Sequence, residues 1–312
     1  MMAVAYRGFP GLKVPRIEAV KVPVPKAGQL LIKADASAIN PIDWKLRKGI
    51  LGLLTPLAGI SPIPGFDFVG HVVSTGEGSR RFQVGDRVFG MLNFKTMGSL
   101  ADLIVADGVE VALAGDTLDD ATLAGLPLAG MTALQSIRDL GQLQPTGRLL
   151  VIGGSGGVGH LGIQIGKALG AHVTAITGPH NVGFVKGLGA DHVINYRERA
   201  DIEGTYDVIL DTVVSRPYRH WARFLSRNGT YVSVLPSPEL LFRSVMTRNS
   251  SGKKVRIIGV KPSSRDLAWL RHLAEQGQLT LAVDSIYPRD QVAEALKRSQ
   301  SGRARGKIIF FK

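Results

Sequence analysis

The sequence predicts an α/β fold in which a doubly wound parallel sheet is inserted late into a β-rich domain. Three observations lead there. The run Leu149–Gly159, LLVIGGSGGVG, passes from an apolar strand through a glycine-rich turn into a helix-like segment, HLGIQIGKALGA. Strand and helix patterns then alternate as far as VRIIGV, which implies parallel strands covered by helices on both faces. Before residue 120 there is no such alternation. Short runs such as QLLIKADASAI, FVGHVVSTG and GDRVFGML are instead separated by Gly, Pro and Asp turns.

The elements follow in order. From Asp119 the segment DDATLAGLPLAGMTALQSIRDLG carries apolar residues at helical spacing and meets a glycine stop at Gly141. LLVIGG enters a helix ending near Gly170. After it come the strand AHVTAIT, the helix NVGFVKGLGA, the strands HVINY and YDVILDTV, a helix near Tyr218–Leu225, and GTYVSVL and VRIIGV. A helix over Ser264–Gln276, the strand-like LAVDSIYP, a helix from Gln291 to about Gln300 and a final strand KIIFF close the chain. The expected domains are 1–121 (β-rich), 122–262 (nucleotide-binding) and 263–312 (returning to the first).

Composition narrows the function. The chain has 312 residues, 45% hydrophobic and 20% charged, enough for sizeable cores. With no cysteine, disulfides, thiolate nucleophiles and cysteine-bound zinc are excluded. No apolar stretch approaches the roughly 20 residues that span a bilayer. The start, MMAVAYRGFPGLKVPRIEAV, lacks a signal-peptide pattern, so a cytoplasmic location is expected. The net charge of +13 favours anionic partners. The densest basic groups, Arg243–Arg256 and Lys297–Lys307, read as loops and helix ends without interleaved aromatics, so solvated surface is expected rather than a nucleic-acid site.

The glycine turn sets the chemistry. Gly154, Gly156 and Gly159 have the G-x-G-x-x-G spacing between a strand and a helix, which fits a dinucleotide pyrophosphate held by backbone N–H groups of Ser155, Gly156, Gly157 and Val158. About 20 residues on, where NAD-binding domains place an acid for the ribose 2′-OH, stand Thr177, Gly178, Pro179, His180 and Asn181. Without that carboxylate nothing repels a 2′-phosphate, so NADPH is expected over NADH. Thr177, Gly178, Asn181 and Tyr196 would bind it, helped by His180 and Arg197. Asp211-Thr212-Val213 ends a parallel strand, which puts Thr212 and Val213 near the nicotinamide ribose; Leu235 ends the next strand, beside the ring.

Seven blocks in order resemble the zinc-free medium-chain dehydrogenase/reductase superfamily, in its quinone oxidoreductase and enone (alkenal) reductase branch. They are NPIDWKLRKG (Asn40–Gly49), PGFDFVGHVVSTG (Pro64–Gly76), VGDRVFGM (Val84–Met91), LPLAGMTAL (Leu126–Leu134), GGSGGVG (Gly153–Gly159), LGADHVINY (Leu188–Tyr196) and SGRARGKIIF (Ser301–Phe310). The resemblance implies a GroES-like catalytic domain around an inserted Rossmann domain, an active site in the cleft between them, and a homodimer. It implies that Asn40 lies beside the nicotinamide and donates hydrogen bonds to cofactor or substrate, that Thr132 lies near the ring, and that Arg303 reaches the 2′-phosphate.

Lys45 matches a position where some enone reductases carry a cleft-facing lysine, which would polarise the substrate carbonyl; a surface lysine in the run Lys45–Arg47–Lys48 is the other reading. Asp43 is expected to anchor its loop. Trp44 either lines the cleft or packs beneath the loop. The segments Gly49–Ser61 and Leu92–Ser99 are expected to shape an apolar pocket.

The zinc alcohol dehydrogenases of this superfamily place a cysteine where Asn40 stands and a His-Glu pair where Phe66-Asp67 stands, and the seven histidines form no replacement motif. What remains is hydride transfer to a small planar electrophile, a quinone or the C=C of an α,β-unsaturated carbonyl. A zinc-free carbonyl reductase or alcohol dehydrogenase, and an NADPH-binding sensor with RNA contact and no turnover, stay as rivals.

Overall fold

The computed structural model describes residues 1–6, 15–46, 61–198 and 202–312. Arg47, Lys48 and all but Ser61 of the pocket segment Gly49–Ser61 lie outside the described residues. Two compact units are present. One comprises Met1–Leu128, Lys261–Glu275 and Leu281–Lys312, the other Ala129–Val260 and Gln276–Thr280.

The first unit opens with an antiparallel pair, β1 (Met2–Ala5) and β2 (Arg16–Ala19). The long strand β3 (Gln29–Ile39) follows. Its first half alternates: Leu30, Ile32, Ala34 and Ala36 are buried while Lys33 faces water, the period of a strand with one solvated face. The alternation stops at Ser37, and every residue from there to Asn40 is buried, so the strand carries Asn40 into the interior. Then come α1 (Pro41–Lys45), β4 (Asp67–Thr75), β5 (Arg87–Met91), β6 (Leu103–Asp107), β7 (Val111–Leu113) and α2 (Asp120–Gly125).

The second unit takes up most of α3 (Pro127–Leu134), which runs through a π-turn, Gln135–Leu140, to its end at Gly141. It continues with β8 (Arg148–Ile152), α4 (Gly157–Ala168), β9 (His172–Thr177), α5 (Val182–Gly187), β10 (His192–Asn195), β11 (Tyr206–Asp211), α6 (Tyr218–Ala222), β12 (Leu225–Ser233), α7 (Pro238–Met246) and β13 (Lys254–Ile257). Six parallel strands lie in the order β10-β9-β8-β11-β12-β13. Leu149 to Ile152 are all buried, as expected of a strand covered on both faces. The strand order reverses between β8 and β11, which makes their C-terminal ends the topological switch point of the sheet.

The chain returns to the first unit with α8 (Ser264–Glu275), β14 (Val283–Tyr287), α9 (Val292–Gln300) and β15 (Lys307–Phe311). The sheet there has the order β14-β15-β3-β4-β5-β7, with β6 also paired to β3. Helix α7 was not expected from the sequence. It starts at Pro238 with Ser237 accepting from the Leu240 N–H, a local cap within a segment that otherwise reads as a basic loop. Among the described residues no helix is long and apolar enough to cross a membrane.

Candidate active site

In the first unit β3 delivers Asn40 to the start of α1. Pro41 sits at the first helical position, and Asp43 Oδ2 reaches back to accept the Asn40 backbone N–H at 2.7 Å. Asp43 Oδ1 accepts the Gly65 N–H at 3.1 Å, so one carboxylate ties α1 to the approach to β4. Asp43 anchors its loop. It is fully buried, and burial, reinforced by the neighbouring Asp67 charge, pushes its carboxyl up to about 7 against the lowering effects of its hydrogen bonds and Lys307.

Asn40 is occupied from within. Its Nδ2 donates to Asp67 Oδ2 at 2.9 Å and to the Ala38 carbonyl at 3.2 Å, while its Oδ1 accepts from Lys307 Nζ at 2.5 Å. Both amide hydrogens are therefore engaged inside the unit, so the side chain holds the end of β3 rather than presenting free donors. Lys307 Nζ also lies 3.1 Å from Asp67 Oδ2, and both residues are buried. Asp67 Oδ1 accepts the Leu128 N–H at 2.7 Å. Burial raises the Asp67 carboxyl, and the Lys307 ammonium and these hydrogen bonds oppose it.

Lys45 ends α1. It is half-buried, and that burial lowers its ammonium from the ordinary lysine value. The charge lies 5.6 Å from the Trp44 ring centroid. Trp44 itself packs against the core of Val4, Ile39, Leu296 and Phe310 and donates from Nε1 to Ser299 Oγ on α9 at 3.0 Å. Its ring fastens α1 to α9.

The Leu92–Ser99 loop is built around buried Glu110. Its Oε1 accepts from the Asn93 backbone at 2.7 Å, the Asn93 side chain at 2.6 Å and Thr96 Oγ1 at 3.1 Å. The loop holds Phe94 partly exposed, edge-on to buried Phe66 at 5.1 Å between centroids.

In the second unit most of the predicted cofactor residues lie at the C-terminal ends of β8 to β12 or in the turns that follow them. The glycine turn is fastened to β9 by Gly153 and Gly154 N–H groups, both donating to the Ile176 carbonyl at 3.0 and 2.9 Å. Gly156 caps α4, so Gly157, Val158 and Gly159 occupy its first turn, whose N–H groups have no intrahelical acceptor. The close packing there requires a glycine at 159: a Cβ would stand 2.1 Å from the Gly153 carbonyl oxygen.

Thr177 ends β9 buried, and its Oγ1 has no hydrogen-bond partner among the described residues. Asn181 Nδ2 donates to Ser155 Oγ at 3.2 Å, joining the loop after β9 to the glycine turn. The exposed Tyr196 ring stands beside Gly178, where a Cβ would meet it at 3.3 Å. These groups lie together at the ends of β8, β9 and β10; residues 177–181 carry no acid, and the Thr177 hydroxyl is buried without a partner among the described residues. A nicotinamide dinucleotide fits such a turn.

Thr212 donates through N–H and Oγ1 to the Ile152 carbonyl, at 3.1 and 2.7 Å, which seats the end of β11 on the end of β8. Val213 is 49% exposed. Leu235, after β12, closes a tight turn with Ser233 Oγ. Asp211 holds the Val213 and Val214 N–H groups on Oδ1 at 3.0 and 2.7 Å, and Tyr231 donates its hydroxyl to Oδ2 at 2.7 Å. Burial and the Asp211 charge push that phenol upward, so it keeps its proton.

Two further predicted positions make none of the hydrogen bonds just described. Thr132 is buried on α3, where neighbouring Ala133 faces Gly162 of α4. Arg303 belongs to the first unit, exposed on the turn between α9 and β15, where its carbonyl accepts from Arg298.

Two family models match the chain, the alcohol dehydrogenase GroES-like domain over residues 26–113 and zinc-binding dehydrogenase over residues 188–310. A chloroplast envelope quinone oxidoreductase homolog of Arabidopsis thaliana is 33% identical, covering 99% of this chain and 98% of its own length. This chain is a medium-chain dehydrogenase/reductase of the quinone oxidoreductase and enone reductase branch. It is an oxidoreductase. A 2-methylene-furan-3-one reductase of Solanum lycopersicum is 30% identical over 99% of this chain and 78% of that protein. The quinone oxidoreductase structure from Coxiella burnetii superposes with a TM-score of 0.89 at 27% identity, covering 100% of this chain and 99% of that one.

Zinc, which one of these family descriptions names, does not fit the residues of this medium-chain reductase. Phe66 offers no donor, the Asn40 amide is engaged, and Asp67 already holds an ammonium. Among the described residues no three His, Cys, Asp or Glu side chains come together as metal ligands.

Lys307, Asp67 and Glu110 were not read as site-building residues from the sequence. The available signals were slight: one lysine opening the apolar run KIIFF and one aspartate between two phenylalanines. The basic group Arg243–Arg256 serves local structure. Lys253 Nζ donates to the Ala222 carbonyl, and Arg256 donates to the Thr247 and Arg248 carbonyls, all at helix C-terminal ends.

Proposed function

We propose that the chain is an NADPH-dependent reductase, independent of zinc, that delivers hydride to a quinone or to the β-carbon of an α,β-unsaturated carbonyl. The observation that carries this reading is the end of β9 beside the glycine turn, where residues 177–181 carry no acid and the Thr177 hydroxyl is buried without a partner among the described residues. A carboxylate at the end of β9 would repel a 2′-phosphate; Thr177, Gly178, Asn181 and Tyr196 attract or tolerate one. The nicotinamide supplies the hydride when bound. The first turn of α4 and Ser155 hold the pyrophosphate, and Thr212, Val213 and Leu235 bound the nicotinamide side.

Lys45 is the electrophile of this reading. Its ammonium, lowered by burial, hydrogen-bonds the acceptor carbonyl and stabilises the oxyanion that develops there. The Asn40–Asp67–Lys307 network fixes the end of β3, and with it α1. Phe94 supplies an aromatic surface suited to a planar acceptor. The names borne by the Arabidopsis, tomato and Coxiella proteins support the same acceptor classes.

Stopped-flow mixing with NADPH and either 1,4-quinones or enones, with a chelator present, is the test. Cofactor oxidation by one class is expected. Tight NADPH binding with no acceptor reduction would leave a sensor, and chelator-sensitive turnover of simple aldehydes would leave an alcohol dehydrogenase.

A homodimer is part of the proposal. Helix α7 turns Leu241, Phe242, Val245 and Met246 to solvent, 54 to 73% exposed, and packs on β13, the strand that ends the parallel sheet. An apolar face continuous with an open strand edge suits a second copy of the chain. Light scattering should give twice the chain mass, falling to one in Phe242→Glu/Met246→Glu; a wild-type monomer would overturn this assignment.

A further inference from the structure

The end of β11 carries a backbone conformation that needs a cause. Val214 has φ of +56°, and a β-branched residue is rarely found in the left-handed region. Gln142 and Thr146 are the other non-glycine residues with positive φ among the described residues, and both lie in the loop leading into β8, at the opposite ends of the strands. Val214 alone of the three lies at the C-terminal ends, where parallel sheets bind ligands.

What holds it there is visible. The Asp211 carboxylate accepts both the Val213 and Val214 N–H groups on Oδ1, which forces the chain to double back. Tyr231, on the neighbouring strand and fully buried, fixes Oδ2. The Val234 N–H donates to the Asp211 carbonyl at 3.1 Å, adding a second tie on the β12 side. The residues so constrained are Thr212 and Val213. They press on the glycine turn, where a Cβ on Gly153 would meet Thr212 Oγ1 and Val213 Cγ2 at 2.5 Å. The clamp thus ends in an apolar side chain, Val213, held half-exposed at the switch point. Strain of this kind persists only where the surroundings over-determine it, and it clusters at ligand clamps.

We propose that Asp211 and Tyr231 are positioning residues. By locking Val214 in the left-handed conformation they present Thr212 and Val213 to the nicotinamide half of the bound cofactor. The inference rests on the cofactor reading above and goes beyond it, because both side chains are buried and bonded to each other.

The test measures NADPH affinity by fluorescence titration and thermal midpoint without cofactor, for wild type, Asp211→Ala, Val214→Gly and the double variant. Val214→Gly alone should keep the affinity within about twofold, because the clamp still sets the turn and glycine accepts it freely. Asp211→Ala should weaken NADPH binding about tenfold, since valine then relaxes out of the left-handed region. Adding Val214→Gly to Asp211→Ala should recover part of that loss although the carboxylate is still missing, a rescue that a purely structural role would not produce. Wild-type affinity in folded Asp211→Ala, or no recovery in the double variant, overturns the proposal. If Asp211→Ala does not fold, Tyr231→Phe loosens the same clamp from its other side. It should weaken binding three- to tenfold, and unchanged affinity overturns the proposal equally. A wild-type protein that binds neither NADPH nor NADH overturns the cofactor reading itself, a result distinguishable from failure of the clamp alone.

Discussion

The end of β3 and the end of β9 handle buried polarity in opposite ways. In the first, Asn40, Asp43, Asp67 and Lys307 satisfy one another across β3, α1, β4 and β15. In the second, the Thr177 hydroxyl is buried beside the glycine turn with no hydrogen-bond partner among the described residues. A buried polar group left unpaired costs about 1–3 kcal/mol, and a closed network of charges is stable only as a set. The closed set therefore serves as a scaffold for neighbouring groups, and the open hydroxyl is the one that the proposed cofactor would complete.

Substitutions can break that contrast on either side. Lys307→Met should have the largest effect, because it leaves the Asp67 charge buried and unpaired: about 3–5 kcal/mol of stability in urea denaturation. A loss under 1 kcal/mol would mean the cluster is not ion-paired.

Asp43→Asn probes the same cluster through pH. The folded-state carboxyl is raised to about 7 from 3.8, so the folded chain binds this proton more tightly than the unfolded chain does. Its contribution is complete below about pH 4 and declines as pH rises to about 7, by up to roughly 1.4 kcal/mol per pH unit. The variant should flatten the fall in thermal midpoint over that window, and an unchanged slope would remove Asp43 as its source.

Lys45→Met should lower kcat about 10- to 100-fold, leave the KM for NADPH unchanged, and leave the thermal midpoint as it was or higher, since a half-buried ammonium is removed. Equal turnover would make Lys45 a surface residue.

The smallest effect sharpens the open side. Thr177→Val removes a hydroxyl with no protein partner, so the cofactor-free protein should gain a few tenths of a kcal/mol to about 1 kcal/mol. NADPH should bind several-fold more weakly. Stability and affinity moving the same way would show that the hydroxyl has no ligand.

Much of the second unit was legible beforehand because its signals are local. The period of LLVIGG, the spacing of Gly154, Gly156 and Gly159, and the missing acid after Ile176 are all read within a few residues. Helix α7 escaped because its exposed face is apolar, the reverse of the pattern by which a surface helix is recognised. Asn40 was placed by resemblance, but the engagement of its amide depends on Lys307, 267 positions away.

By itself the sequence determined the alternation that makes a parallel sheet, the glycine turn that opens it to a dinucleotide, and the lack of cysteine. Each follows from residue type and short-range spacing, which unfolded and folded chain share. The tertiary structure alone decided which polar groups are paired. Burial and hydrogen-bond geometry arise only when distant strands meet: Lys307 closes on Asn40, Tyr231 closes on Asp211, and Thr177 is left without a partner.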